Sequence, residues 1–207
     1  MKPRPKNWST RALKWSMRYS ITCFLARLIA KIFGDLKVEY RTKLPPKGQA
    51  FIYAANHMTH LDPPLLAATC PHQLGFLAKE ELFENKIFGG LISAMGAIPL
   101  DRKSGDVGAL RTALKMLKNN KPLVMFPQGT RGKSLDDYTD GVGFIAKKSK
   151  APVYVAHIHG AESIFPKGAK FFRFGKIRIV IDKVSDIDEA DDYHQIAVKV
   201  MAKIKSL

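Results

Sequence analysis

Residues 50–64 read Ala-Phe-Ile-Tyr-Ala-Ala-Asn-His-Met-Thr-His-Leu-Asp-Pro-Pro, an apolar run followed by a polar segment and two prolines. The apolar run at residues 50–55 predicts a buried strand. Asp62 and the prolines predict the start of a helix, because aspartate caps helices and proline is tolerated in their first turn. His57 and Asp62 therefore occupy a strand-to-helix junction, where α/β folds present reactive side chains.

Beyond this junction, short apolar runs alternate with helical patterns. Further strands are predicted at residues 74–78, 97–100, 123–126, 153–157 and 177–181. Residues 104–118 predict a helix whose apolar face carries Val107, Leu110, Leu114 and Leu117. Residues 189–205 predict a last helix, with acids at its start and lysines at its end, as the helix dipole prefers. The alternation predicts the α/β fold class: a single domain at residues 37–207 with a mixed sheet flanked by helices.

The composition is that of a folded globular protein. The chain has 207 residues, of which 46% are hydrophobic and 25% are charged, enough for one domain with a substantial core. Its two cysteines, Cys23 and Cys70, have no CxxC spacing. They indicate a reducing compartment and are expected to be small apolar fillers rather than nucleophiles.

The net charge of +16 is concentrated at the N-terminus. The first 34 residues contain no acid and eight basic residues: Lys2, Arg4, Lys6, Arg11, Lys14, Arg18, Arg27 and Lys31. Such a segment attracts a polyanion, either nucleic acid or an anionic lipid surface. Its longest uncharged run, residues 19–26, is far shorter than the roughly 20 residues that span a bilayer.

The basic residues of this segment are interleaved with tryptophan, leucine and isoleucine. This pattern predicts a membrane-interface segment at residues 1–36, forming an N-terminal pair of amphipathic interfacial helices. An organellar transit peptide, or a basic helix packed on its own domain, would give the same pattern. Localisation is therefore predicted as membrane-associated and monotopic, on the cytoplasmic face because no secretory signal is evident.

The spacing of His57 and Asp62 suggests a chemistry. An imidazole with a carboxylate on its far nitrogen can take a proton from a weakly acidic hydroxyl near neutral pH. Three later segments strengthen this interpretation: residues 96–103, which end in Arg102 and Lys103; residues 126–131, which end in Arg131; and the apolar residues 151–160. Two arginines at strand ends can converge on one anion, and guanidinium groups suit a phosphate.

In this order, the segments resemble the glycerolipid acyltransferases. Residues 56–62 resemble the family's HxxxxD motif, residues 96–102 its second block, residues 126–131 its FPEGTR block, and residues 152–160 its apolar fourth block. The similarity runs from about residue 38 to residue 160. With the short chain and the N-terminal interfacial segment, it is greatest to the 1-acylglycerol-3-phosphate acyltransferases.

The resemblance implies a role for each matching residue. His57 would be the general base that deprotonates the free hydroxyl of a lysophospholipid, and Asp62 would orient its imidazole. The donor would be an acyl thioester, either acyl-CoA or acyl-carrier protein, and the product phosphatidic acid. Since a thioester is already activated, no cofactor and no metal are expected. The substrate-binding set would comprise Arg102, Lys103, Gln128, Gly129, Thr130 and Arg131, with the arginines on phosphate and the amides of Gly129 and Thr130 near the oxyanion.

Two departures from the family pattern leave alternatives open. Gln128 replaces a glutamate beside Arg131, and Val155 replaces a proline of the fourth block. Glycerol 3-phosphate and another lysophospholipid are therefore the alternative acceptors. A non-enzymatic basic nucleic-acid-binding protein is the alternative of another class, although no recognition module is visible and no nucleic acid is expected as a partner.

Overall fold

A computed structural model describes residues 17–100, 105–166, 168–169 and 171–207. Its helices are α1 (Met17–Gly34), α2 (Asp62–Thr69), α3 (Lys86–Ala94), α4 (Gly105–Lys118), α5 (Gly141–Ser149), α6 (Ala161–Ile164) and α7 (Tyr193–Lys205), with a 3-10 helix at Glu80–Phe83. Its strands are β1 (Lys37–Tyr40), β2 (Ile52–Ala55), β3 (Gly75–Lys79), β4 (Ala97–Leu100), β5 (Leu123–Met125), β6 (Val153–His159) and β7 (Arg178–Lys183).

The strands form one sheet in the order β1-β7-β6-β2-β5-β3-β4. Neighbouring strands are parallel except for β6 and β7, which pair antiparallel. The predicted α/β class with a mixed sheet flanked by helices is therefore confirmed. Strand β2 lies inside the sheet, and its four residues are all buried. This double burial explains why residues 50–55 are continuously apolar rather than alternating.

The core has two parts, one on each face of the sheet. Tyr53 and Ala55 pack with α1 and α2 on one face, whereas Ile52 and Ala54 pack with α4, α5 and α7 on the other. The alternation along β2 follows from the two-residue period of a strand. Both faces of β2 are thus sealed, and only its carboxyl end can present polar groups.

Helix α1 uses only one of its faces to pack on the domain. Tyr19 and Ala30 are buried, and the Tyr19 hydroxyl donates to the carbonyl oxygen of His72 at 3.2 Å. The opposite face exposes six large apolar side chains to solvent: Met17, Ile21, Phe24, Leu25, Leu28 and Ile32. The packed and interfacial interpretations of this basic segment therefore each fit one face of α1. The first part of the predicted helix pair, residues 1–16, lies outside the described residues.

Helix α1 is the longest helix in the described part of the chain, with 18 residues. Across those same residues, no helix combines the length and the hydropathy that are needed to cross a bilayer.

The predicted elements match the structure best where burial is strongest. The strands predicted from residue 50 onward all occur, and their ends differ from the predicted ones by at most two residues. The predicted last helix begins late, at Tyr193, because Asp192 and Gln195 form a capping box that fixes its start. Val107 is exposed rather than part of a buried helix face. Strand β1, helices α3, α5 and α6, and the 3-10 helix were not predicted from the sequence.

Candidate active site

The candidate site lies where two neighbouring parallel strands send their chains to opposite faces of the sheet. Strand β2 continues into α2 on one face, and β5 leads to α5 on the other. Such a divergence opens a crevice beyond the carboxyl ends of the strands, which is the usual ligand site of an open α/β sheet. His57 follows β2 and residues 126–131 follow β5, so the fold brings the first and third sequence blocks together.

His57 and Asp62 form a direct hydrogen bond in this crevice. The Nδ1 atom of His57 lies 2.8 Å from Oδ2 of Asp62. The carboxylate is buried, whereas the imidazole keeps 16% of its surface exposed. Because an ionised carboxylate can only accept, the proton of neutral His57 resides on Nδ1, and Nε2 retains the lone pair that a base requires.

Asp62 does not cap helix α2 as predicted. It is the first residue of the helix, and the capping position belongs to Leu61, whose side chain makes no capping bond. The Asp62 carboxylate instead turns back to the preceding loop, where Oδ2 accepts from the backbone N–H groups of Met58 at 2.7 Å and Thr59 at 2.9 Å. With His57, three donors meet at one oxygen, so the loop is built around this carboxylate.

Phe126 holds the other side of the imidazole. Its ring stacks on that of His57 with 4.1 Å between centroids and 20° between planes. The imidazole is thus restrained by a carboxylate on one edge and a phenyl ring on one face. Phe126 was not predicted as a site residue, although it begins the segment that resembles the FPEGTR block.

Gln128 connects the loop after β2 to the loop after β5. Its side chain is almost completely buried, and Oε1 accepts from the backbone N–H of His57 at 2.6 Å. Its Nε2 donates to the carbonyl oxygens of Lys133 and, at 3.3 Å, Ser134. A further backbone bond joins Gly132 N–H to the His57 carbonyl oxygen at 2.9 Å. These contacts give Gln128 a positioning role, and its predicted contact with substrate stays a prediction.

Gly129, Thr130 and Arg131 are exposed at the surface of the crevice. Gly129 has φ +70° and donates its backbone N–H to the carbonyl oxygen of Phe126 at 2.9 Å. The predicted oxyanion contact by this amide would therefore require the turn to open. For Thr130, the structure provides an exposed position, and its role stays a prediction.

Arg131 is electrostatically coupled to the loop after β2. Burial, followed by the charges of Arg131 and His57, lowers the pKa of His60 below its ordinary value. The Arg131 charge thus acts on the loop that carries His57 and Asp62, and its phosphate-binding role stays a prediction.

Arg102 and Lys103 lie outside the described residues. They follow β4, which is three strands away from β2 in the sheet, about 14 Å at the usual strand spacing. The predicted convergence of Arg102 with Arg131 therefore stays a prediction.

Asn56 is a second residue that was not predicted as part of the site. Its side chain bonds the backbone of Ile158 twice: Nδ2 donates to the carbonyl oxygen at 2.8 Å, and Oδ1 accepts from N–H at 2.7 Å. The pair of bonds fixes the end of β2 to β6 directly before His57. As for metals, the described residues contain no group of three or more His, Cys, Asp or Glu side chains that could hold an ion.

Comparison with known proteins agrees with this geometry. A family model described as Acyltransferase matches residues 35–159, more than half of the chain. The chain belongs to the acyltransferase family. The matched region contains His57, Asp62 and Arg131, and it ends with strand β6.

Several curated relatives share this family. A 1-acyl-sn-glycerol-3-phosphate acyltransferase of Bacillus subtilis is 29% identical over 177 residues, which cover 85% of this chain and 85% of that protein. An enzyme of the same name from Streptococcus pneumoniae is 37% identical over 128 residues, 61% of this chain and 48% of that protein. A lyso-ornithine lipid O-acyltransferase of Pseudomonas aeruginosa is 33% identical over 110 residues, 52% of this chain and 42% of that protein.

A solved structure has the same fold. The crystal structure of the 1-acyl-sn-glycerophosphate (LPA) acyltransferase PlsC from Thermotoga maritima matches with a TM-score of 0.74 and 27% sequence identity. The match covers 91% of this chain and 77% of that chain. The structural similarity therefore extends beyond residues 35–159.

Proposed function

We propose that this acyltransferase moves a fatty acyl group from a thioester to the free hydroxyl of 1-acylglycerol 3-phosphate and releases phosphatidic acid. The observation that carries the proposal is the His57–Asp62 pair at 2.8 Å, held in a crevice beside the Arg131 loop. The names of the Bacillus subtilis, Streptococcus pneumoniae and Thermotoga maritima relatives support the same acceptor.

The proposed reaction needs one base that later acts as an acid. His57 Nε2 takes the proton of the acceptor hydroxyl as its oxygen attacks the thioester carbonyl carbon. The tetrahedral intermediate collapses, the carbon–sulfur bond breaks, and the imidazolium returns its proton to the departing thiolate. Asp62 keeps the proton on Nδ1 and stabilises the imidazolium that forms between the two steps.

The carbonyl of a thioester is already reactive, so this scheme requires no metal and no organic cofactor. The acceptor and the donor, acyl-CoA or acyl-carrier protein, are therefore the only reactants. Arg131 is assigned to the acceptor phosphate, because a guanidinium group offers two parallel donors to phosphate oxygens. Arg102 and Lys103 are proposed to complete this anion site from the end of β4.

We place the enzyme at a membrane surface, with the outer apolar face of α1 in the lipid interface. Between residues 17 and 34 there is no acid, and the exposed leucine, isoleucine and phenylalanine side chains lie beside Arg27 and Lys31. A helix with these two properties lies in the interface plane of an anionic bilayer. The enzyme would then meet its lipid acceptor as monotopic protein on the cytoplasmic face.

The experiment for this function is a comparison of acceptors. Purified full-length protein is mixed with phosphatidylcholine vesicles, an acyl thioester and one acceptor at a time, and the release of free thiol is followed. We expect the highest kcat/KM with 1-acylglycerol 3-phosphate, and much lower values with lysophosphatidylcholine, whose phosphate carries a bulky cationic group. Equal thiol release with and without any acceptor would contradict acyl transfer.

A second acceptor class has support from one relative. The Pseudomonas aeruginosa protein is named for a lyso-ornithine lipid, which shows that this family is not restricted to a single acceptor name. Glycerol 3-phosphate and other lysolipids belong in the same comparison, since Gln128 changes the charge beside Arg131 relative to the family pattern. Preference for one of these acceptors would replace the first proposal and keep the chemistry.

A further inference from the structure

The segment at residues 165–176, here called the aromatic loop, carries an unusual composition. It contains four phenylalanines, four basic residues and no acid. Phe171 and Phe174 are 81% and 78% exposed, among the most exposed large apolar side chains in the described part of the chain. Leaving two aromatic rings in water is unfavourable, so this exposure suggests that a nonaqueous surface covers them.

The part of the aromatic loop between the two exposed rings is packed against neighbouring residues. The Phe172 ring lies 5.5 Å from that of Phe33 and 5.1 Å from that of Phe165, measured between centroids. A backbone hydrogen bond joins Arg173 N–H to the carbonyl oxygen of Ile164 at 2.9 Å. These contacts fix the backbone that carries the two exposed rings.

The aromatic loop contacts the C-terminal end of helix α1. Gly175 donates its backbone N–H to the carbonyl oxygen of Phe33 at 2.8 Å, and the Phe174 ring lies 5.1 Å from the Phe33 ring. Phe33 is half-buried and packs against the core, on a different side of α1 from the exposed Ile32. The loop thus lies beside the last turn of the helix whose outer face is exposed.

The same loop also reaches the catalytic pair. The Thr59 hydroxyl donates to the carbonyl oxygen of Phe165 at 2.8 Å, while the Thr59 backbone N–H donates to Asp62. The start of the aromatic loop is therefore two hydrogen bonds away from the carboxylate that orients His57. A surface that binds the loop would therefore also fix the distance between the crevice and that surface.

We infer that the aromatic loop is a second membrane-inserting element, in which Phe171 and Phe174 enter the interface of an anionic bilayer beside α1 and set the depth of the His57 crevice. The bilayer is favoured as occupant because phenyl rings enter the acyl boundary while adjacent basic residues, such as Arg173, meet anionic headgroups. Neither the aromatic loop nor α1 contains an acidic residue, so both segments are positively charged. The inference rests on the proposed lipid function and adds a contact to it.

The test compares the partitioning of full-length variants onto vesicles by sedimentation. The vesicles contain phosphatidylcholine with or without phosphatidylglycerol. We expect the double variant Phe171→Ser/Phe174→Ser to bind the anionic vesicles at least about tenfold more weakly, because two exposed rings lose their transfer out of water. Phe171→Trp/Phe174→Trp is expected to keep the binding. Val198→Ser is the control, since Val198 is exposed on α7, which packs on the other face of the sheet.

Folding is checked by the melting temperature, and Phe171→Ser alone replaces the double variant if the double variant is unstable. Undiminished vesicle binding of a folded serine variant would overturn the inference. So would a dimer in lipid-free solution that the serine substitutions dissociate, since a second copy would then cover the rings.

Acyl transfer to a dispersed short-chain acceptor separates this inference from the proposed function. Absence of that transfer in the unaltered protein would refute the function. The ratio of activity on vesicle-bound acceptor to activity on dispersed acceptor is the readout. A fall of this ratio in the serine variant, but not in the control, would support the contact between loop and membrane.

Discussion

Two histidine–aspartate pairs in the described part of the chain have similar hydrogen-bond distances and very different surroundings. His57 Nδ1 lies 2.8 Å from Asp62, and His194 Nδ1 lies 3.0 Å from Asp140. The side chains of the first pair are 16% and 1% exposed, and those of the second are 66% and 52% exposed. The distance between an imidazole and a carboxylate therefore does not distinguish a base from a surface ion pair.

The difference lies in what else holds each pair. Water competes for both members of the exposed pair, so their contact restrains the imidazole little. In the crevice, the Asp62 carboxylate accepts hydrogen bonds from two backbone N–H groups. The Phe126 ring stacks on the imidazole, and the Gln128 side chain accepts a hydrogen bond from the His57 backbone. A preorganised environment, rather than the pair itself, therefore distinguishes the candidate catalytic site.

The largest contrast is expected between the two aspartates. Asp62→Asn should lower kcat by about 10³- to 10⁴-fold, because a neutral amide no longer stabilises the imidazolium that His57 becomes during the reaction. Asp140→Asn should leave kcat within about twofold, since surface substitutions seldom act at a distance. Initial rates of thiol release, with melting curves for both variants, measure the contrast. Equal effects of the two substitutions would remove the distinction between the pairs.

Arg131 should separate binding from chemistry at the crevice. Arg131→Ala should raise the acceptor KM by about tenfold to a hundredfold, through the loss of charge-assisted hydrogen bonds to phosphate. The donor KM should change much less. Arg41→Ala is a matched control. Arg41 follows β1, which runs opposite to β2, so it lies at the edge of the sheet away from the crevice. An unchanged acceptor KM in Arg131→Ala would exclude the phosphate role.

Gln128 tests how firmly the loop after β2 must be held. Gln128→Leu leaves the His57 N–H and the Lys133 carbonyl oxygen without their partner, which costs about 1–3 kcal/mol. The melting temperature should fall by several degrees, about 2–4 °C per kcal/mol at this chain length. We expect kcat to fall by about tenfold, because the cost of misplacing a base is of this order for a small displacement.

Gln128→Glu refines the same test. Its carboxylate can still accept from the His57 N–H but, when ionised, cannot donate to the Lys133 carbonyl oxygen. An intermediate loss of melting temperature would support the two-sided contact of the amide. A gain in stability would show that the amide is not needed as a donor.

Phe126 should give the smallest effect around the catalytic pair. Phe126→Leu keeps an apolar side chain and removes the ring stack on His57, a contact of about 0.5–1.5 kcal/mol. We expect kcat to fall by about threefold with the acceptor KM unchanged. Phe144→Leu serves as control, since the Phe144 ring contacts that of Tyr193 on α7, beside the exposed histidine pair. A larger loss in Phe144→Leu than in Phe126→Leu would argue against a role for the stack.

The sequence predicted those parts of the site that depend on neighbours along the chain. His57 and Asp62 are five residues apart, so their pairing is a property of one loop, and the buried strand before them is visible as an apolar run. The prediction that Asp62 caps helix α2 was wrong. The local sequence pattern does not show that the loop N–H groups and the imidazole bind the same carboxylate.

The contacts that complete the site join distant parts of the chain. Gln128 is 71 residues from His57, the Asn56 partner is 102 residues away, and the Thr59 partner is 106 residues away. These pairings depend on the strand order, in which β2 lies between β6 and β5. Composition and periodicity predict the strands but not their order, so residues such as Asn56 could not be assigned a partner.

The role of His57 as the base is tested most directly by comparing His57→Ala with His194→Ala in acceptor-dependent thiol release, together with the double variant His57→Ala/Asp62→Asn. We predict that His57→Ala lowers kcat by at least about 10³-fold and that adding Asp62→Asn changes little further, because residues that act as one unit are strongly non-additive. His194→Ala should retain full activity. Near-normal turnover by a folded His57→Ala variant would contradict the assignment of this histidine as the base.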